Sequence, residues 1–370
     1  MTPSTSNPAK SLRATRPTRT LFSTLSSFAL VATLGVFSST NANALDTNAP
    51  QVPSELFASL PDTCPTPDAF AITPEGNLTL SCPNYAGSAG QQQGALLGLT
   101  PDGTPFDIGT LSQFTQDGKT RPMGMAYAPD GALFIADNRG GNDGRVLRVT
   151  FEDGKIATTE VVASGLSSPN GLRYHNGGIY ITQLRLPNVA GPHIASGIYR
   201  FNETDRDLVV PSDGTSETLI FLDHTTNPNV GFGLDGLVFD AQGHLYTANL
   251  GDGIVYKLSL DAKGKVISQQ VHTTVPTTVG PDGMSIDDKG NLYLAGLRSN
   301  QIIKVDPQGK TSVLTENGDS DGANGELDQP ADLIVYNGKL IVSNFDLMKG
   351  DGIVNQGHSK PYTLSTIDLN

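Results

Sequence analysis

The chain has 370 residues and a formal net charge of −13 at pH 7. No basic cluster offsets that charge, so a nucleic-acid phosphate backbone is a poor partner. Gly (41 residues) and Pro (24) punctuate short runs of Val, Ile, Leu and Tyr, with no long 3.6-residue apolar period, so helices are expected to be few.

The first predicted element lies outside the fold. Lys10, Arg13, Arg16 and Arg19 precede an apolar stretch from Leu21 to about Phe37, and Ala42-Asn43-Ala44 offers a small-x-small cleavage site. The pattern predicts a signal peptide over 1–44, and hence secretion or a periplasmic location. The stretch is short for a membrane span and holds several Ser and Thr residues. Elsewhere no stretch is apolar enough to cross a bilayer. The leader carries four basic and no acidic residues, so its loss takes the net charge from −13 to −17. Such acidity suits solubility and cation attraction without naming a function.

Residues 45–370 are expected to form a single all-β domain. Ser54–Leu60 looks like an outer strand. Cys64 and Cys82 flank the hairpin that follows; in an exported chain they are expected to pair, the alternative being two buried thiols. Five related units and a degraded sixth then recur, each a polar or Gly/Pro entry, an apolar run, a turn and a second apolar run. They are 67–81, 122–137, 169–183, 234–249, 281–296 and 330–344, the fifth reading PDGMSIDDKGNLYLAG. Glu75-Gly76, Asp130-Gly131, Asn176-Gly177, Gln242-Gly243 and Lys289-Gly290 mark the turns. A repeat of about 50 residues supplies four short strands, the size of a propeller blade. After Asn344 only one good strand remains, Tyr362–Leu369. Ser54–Leu60 is therefore expected to complete the last blade and close a six-bladed β-propeller, since an open ring would expose two strand edges.

The second residue of each unit should face the mouth of the central channel. These are Asp68, Met123, Asn170, Asp235, Asp282 and Ala331. Asp-Gly and Asn-Gly also shape turns, but four oxygen donors on one ring point to a cation. Two carboxylates about 6 Å apart at an effective dielectric near 20 repel by roughly 3 kcal/mol. Hard oxygen ligands suit calcium or magnesium best, and zinc and manganese tolerate them. Residues following the second strand return to the same face, so Asn138, Gln183, Asn249, Arg298 and Asn344 are expected at the rim.

The units PDGMSIDDKGNLYLAG, LDGLVFDAQGHLYTAN and PNGLRYHNGGIYITQ resemble the blades of the senescence-marker-protein/gluconolactonase family of six-bladed propellers. The resemblance implies one divalent cation in the channel and hydrolysis of lactones. By blade order it implies ligands at Asp68, Asp235 and Asp282, a metal- or substrate-contacting Asn170, and Asp282 as the base. Asp68 stands where the family commonly has Glu, and Asp235 where Asn is common. Paraoxonase-like and strictosidine-synthase-like propellers are similar at this distance.

Other motifs carry less. Gly231-Phe232-Gly233-Leu234-Asp235-Gly236 fits a dinucleotide fingerprint but precedes a hairpin, not a helix. There is no G-x-S-x-G elbow and no H-E-x-x-H. Residues 317–328 nearly fit a calcium loop but lack flanking helices and the terminal Glu; a solvated acidic loop is the plainer reading. His224 is a candidate pocket residue, with a surface or capping role the commoner outcome. Arg173 and Tyr174 are read as packing. Two functions follow: a metal-dependent hydrolase of small lactones or esters, or a non-catalytic propeller with a structural cation.

Overall fold

A computed structural model describes residues 44–86 and 93–370. The predicted signal peptide lies outside them, apart from its final residue. Twenty-five strands fall into six sheets, and the only helical element among the described residues is a 3-10 turn, Leu111–Phe114. None of its helices is long and apolar enough to cross a membrane.

The six predicted units supply the inner hairpins. The innermost strands are Phe70–Ile72, Pro122–Tyr127, Pro169–His175, Leu234–Phe239, Pro281–Ile286 and Pro330–Tyr336. Each packs beside the next, and the last packs against the first. The chain is a six-bladed β-propeller. The turn pairs behave as their sequences require: Asn176 and Gly177 adopt φ of 48° and 73°, the left-handed pair of a tight hairpin.

The ring closes as expected. Ser54–Ser59 pairs antiparallel with Thr363–Asp368 at the outer edge of the sixth blade. Cys64 lies between this strand and the first blade and is disulfide-bonded to Cys82, the last residue of Leu78–Cys82. One strand was not anticipated. Leu208–Val209 adds to the second blade in parallel with Lys155–Leu166, and two residues are too few to show alternation.

A shared bulge builds the channel mouth. Pro169 pairs with Gln183 but Leu172 with Ile181, so three steps on one strand oppose two on its partner. The same shift occurs at Pro122/Met125, Leu234/Leu237, Pro281/Met284 and Pro330/Leu333. Such bulges bend a strand and re-aim its side chains. In four units the third residue is a Gly that meets the next blade's opening backbone. A Cβ on Gly236 would stand 2.4 Å from the Asp282 carbonyl oxygen, and one on Gly171 2.8 Å from that of Asp235. Gly236→Ala is therefore expected to cost about 2–3 kcal/mol, the scale of overpacking. Gly231→Ala, with nothing within 4 Å of its new Cβ, is the control. Urea unfolding of both variants checks this; equal midpoints would remove the close-approach argument.

Candidate active site

The bulged openings converge on a cavity of about 410 Å³ in the channel mouth. Asp68, Asn170, Asp235 and Asp282 all line it, as does Asn138. Asp68 and Asp235 are 5 % and 3 % exposed, whereas Asp282 and Asn170 are half-buried. Asp282 and Asp235 stand within hydrogen-bond reach of one another. Burial first, then the charges of Asp235 and Asp68, pushes the Asp282 carboxyl well up. Burial likewise raises Asp235, to about 7. Asp68 is raised by burial and by Asp332 and Asp235, and its Oδ2 has no hydrogen-bond partner.

Asp332 was not anticipated. It occupies the third position of the sixth unit, where four other blades carry Gly, and it is 6 % exposed. Its backbone N–H donates to Ser343 Oγ at 3.0 Å. Arg173 reaches it from the third blade, with Nη2 3.9 Å from Asp332 Oδ1 and 3.1 Å from the Met284 carbonyl oxygen. Arg173 thus braces the channel from the third blade to the fifth and sixth, three residues along the strand from Asn170. Packing alone does not describe it. Tyr174 does pack, its ring stacked 6.4 Å from that of Phe134.

Several rim expectations are corrected. Gln183, Asn249, Arg298, Asn344 and His224 do not line the cavity. The reason is register: a one-residue step on a strand reverses the face. Gln183 Oε1 accepts from the Ser167 N–H at 2.6 Å. Asn249 Oδ1 accepts from Gly251 and Asp252 N–H groups, each at 3.0 Å. Asn344 Oδ1 accepts from the Asp328 N–H, and its Nδ2 donates to Ser365 Oγ. These amides pin loops inside the wall. Their successors Leu184, Leu250 and Phe345, with Leu297, face the cavity instead. Arg298 turns outward to the Asp351 carbonyl oxygen, at 3.2 Å. His224 lies on the outer strand Leu219–Thr225, its Nε2 3.3 Å from the Ala190 carbonyl oxygen.

Among the described residues no three His, Cys, Asp or Glu side chains gather into a ready-made metal-binding group. The donor set nonetheless fits a hard cation. It is all oxygen, and it leaves a buried carboxylate oxygen of Asp68 unpartnered.

In the 317–328 loop, Asp319 and Asp321 are exposed and accept from backbone N–H groups of Gln356 and Ala323. Asp328 is buried at 2 % exposure, and burial, then Asp346, Asp319 and Asp321, raise it to about 8. A carboxyl raised on folding stabilises below its unfolded value and loses that contribution as pH rises. In chelator, Asp328→Asn should match the wild type near pH 4 and exceed it in stability above pH 8. Thermal unfolding across this window is the check; parallel curves would contradict it.

The fold and channel define a six-bladed propeller with an acidic central cavity. Residues 175–316, from within the third blade to the end of the fifth, match the profile of the SMP-30/Gluconolactonase/LRE-like region. The likeness of the repeat units is borne out there. Regucalcin from Agrobacterium tumefaciens, a calcium-binding protein, is similar in structure at 14% identity and a TM-score of 0.58, covering 88% of this chain and 97% of its own. A Xanthomonas campestris gluconolactonase gives 17% identity and 0.51, covering 88% and 97%. The PQQ-bound aldose sugar dehydrogenase of Streptomyces coelicolor gives 14% and 0.53, covering 86% and 99%. At such identities the likeness shows the fold. No curated protein sequence matches the chain.

Proposed function

We propose that the protein is an exported, divalent-metal-dependent hydrolase of lactones or related esters. The SMP-30/gluconolactonase match supports a lactonase-type activity. The observation that carries the reading is the convergence of Asp68, Asp235, Asp282 and Asn170 on one cavity.

Asp68, Asp235, Asp282 and Asn170 would hold the cation, calcium by preference and magnesium, manganese or zinc as alternatives. Bound there, it supplies Lewis acidity that polarises the ester carbonyl and acidifies water. Asp282 is assigned as the base: among the three metal-site carboxylates it alone is half-buried rather than buried, and an oxygen not spent on the cation could take a proton from water. The Asn170 amide, also half-buried, orients the substrate carbonyl. Leu184, Leu250 and Phe345 exclude bulk water around the reacting group.

The test is a panel of sugar, acyl-homoserine and aromatic lactones, assayed with and without chelator. At least one should be cleaved, with activity lost on chelation and restored by calcium or magnesium. Failure of every lactone with metal bound would favour a non-catalytic propeller. Export is tested separately: the N-terminal sequence of secreted material should begin at Leu45, and an intact leader would refute cleavage.

A further inference from the structure

Five blades set an apolar side chain around the cavity: Met123, Leu184, Leu250, Leu297 and Phe345. Four of these directly follow a buried residue at the end of the second strand, so the collar is a property of the repeat register. A polyol would find polar partners in the cavity at Asn138, Ser167, Ser168 and the site's own donors, but against this collar its hydroxyls would lose water with nothing in return. An alkyl chain or ring would gain by burial.

Two guanidiniums interrupt this wall, Arg121 and Arg185, the latter 5.1 Å from the centroid of the Phe232 ring. Arg121 lines the cavity just before the second blade's opening, with its guanidinium 4.5 Å from the centroid of the Tyr85 ring. Its Nε is buried without a hydrogen-bond partner, and none of the ion pairs among the described residues involves it. By contrast Arg139, Arg145, Arg148 and Arg173 each face a carboxylate. A guanidinium partly withdrawn from water and engaged in no ion pair is matched by an anionic ligand group, which its planar donors bind well.

We propose that the channel takes an amphiphile, an apolar chain or ring that carries a carboxylate read by Arg121, rather than a sugar lactone. This rests on the cavity being the ligand site of the proposed hydrolase.

Binding, not turnover, tests it. Calorimetric titrations of the metal-loaded protein use three probes: decanoate, gluconate and decanol. Decanoate should bind at least about 10-fold more tightly than gluconate, since several buried methylenes favour it. Arg121→Met should weaken decanoate by about 10-fold or more, the worth of a charge-assisted hydrogen bond, and leave decanol unchanged. Arg121→Lys should recover part of the loss, and Leu250→Asn should weaken decanoate and decanol alike. If Arg121→Met does not fold, the lysine variant and the gluconate comparison carry the test. Gluconate binding as tightly as decanoate would overturn the proposal. So would decanoate binding that is absent, or unchanged in a folded Arg121 variant. Decanoate binding without hydrolysis of any lactone would sink the hydrolase reading alone. Cleavage of sugar lactones without decanoate binding would sink this inference alone.

Discussion

Replacing Asp282 by Asn is expected to lower kcat on a cleaved lactone by about 100-fold or more while much of the metal binding survives. Asparagine keeps a neutral oxygen donor in the same place and removes the group that accepts the proton. Asp68 and Asp235 cannot take over easily, because they lie at 5 % and 3 % exposure while Asp282 is only half-buried. Metal titration of wild type and variant on the same lactone separates the two roles of this carboxylate. A variant whose rate climbs back to near wild type at high metal concentration has lost only a ligand, and the base assignment would then fall. A rate that stays low at saturating metal supports it.

The second large effect belongs to Arg173. Arg173→Met leaves Asp332 buried with no cation beside it, and breaking a buried pair from one side costs about 3–5 kcal/mol. Burial already holds the Asp332 carboxyl above its ordinary value, against the opposing pull of Arg173. Without that guanidinium its folded-state value rises further. Stability is then present while Asp332 is protonated and lost as pH rises through the raised value. Urea unfolding should show a smaller loss near pH 4 than near pH 8, and Asp332→Asn in the same chain should recover part of the alkaline loss. A pH-independent loss that the second substitution does not relieve would assign Arg173 to its carbonyl contacts at Leu172 and Met284 instead.

Much of the architecture was legible because the entry motif coincides with the bulge. A Pro or Leu, a donor and a Gly mark where the strand bends, where a side chain turns into the channel, and where the next blade's backbone crosses. Those three physical demands fall on adjacent residues, so Asp235 and Asp282 could be placed by sequence. The rim was not legible to the same depth. Gln183, Asn249 and Asn344 are polar residues at strand ends, and they look like channel groups until the register is known. Their amides are consumed by loop N–H groups, and the apolar residues after them face the cavity. Asp332 was hidden because it replaces the unit's Gly rather than its donor. The PAD in place of PxG was its one visible signal. Arg121 and Tyr85 sit in loops without a period, where only their contact, 4.5 Å from guanidinium carbon to ring centroid, reveals that they act together.

The clasp between Ser54–Ser59 and Thr363–Asp368 also sets a timetable. The ring's first strand has its partner in the sixth blade, so the ring cannot lock until that blade has been made. Until then two sheet edges stay open to other chains. Contacts of such long sequence separation also form slowly once they become possible. The Cys64–Cys82 bond works on a shorter clock, because both sulfurs belong to the first blade and its approach. It can tether the waiting strand to the first blade long before the sixth exists. A chain that oxidises before it closes therefore reaches its final step with the latch already hinged in place.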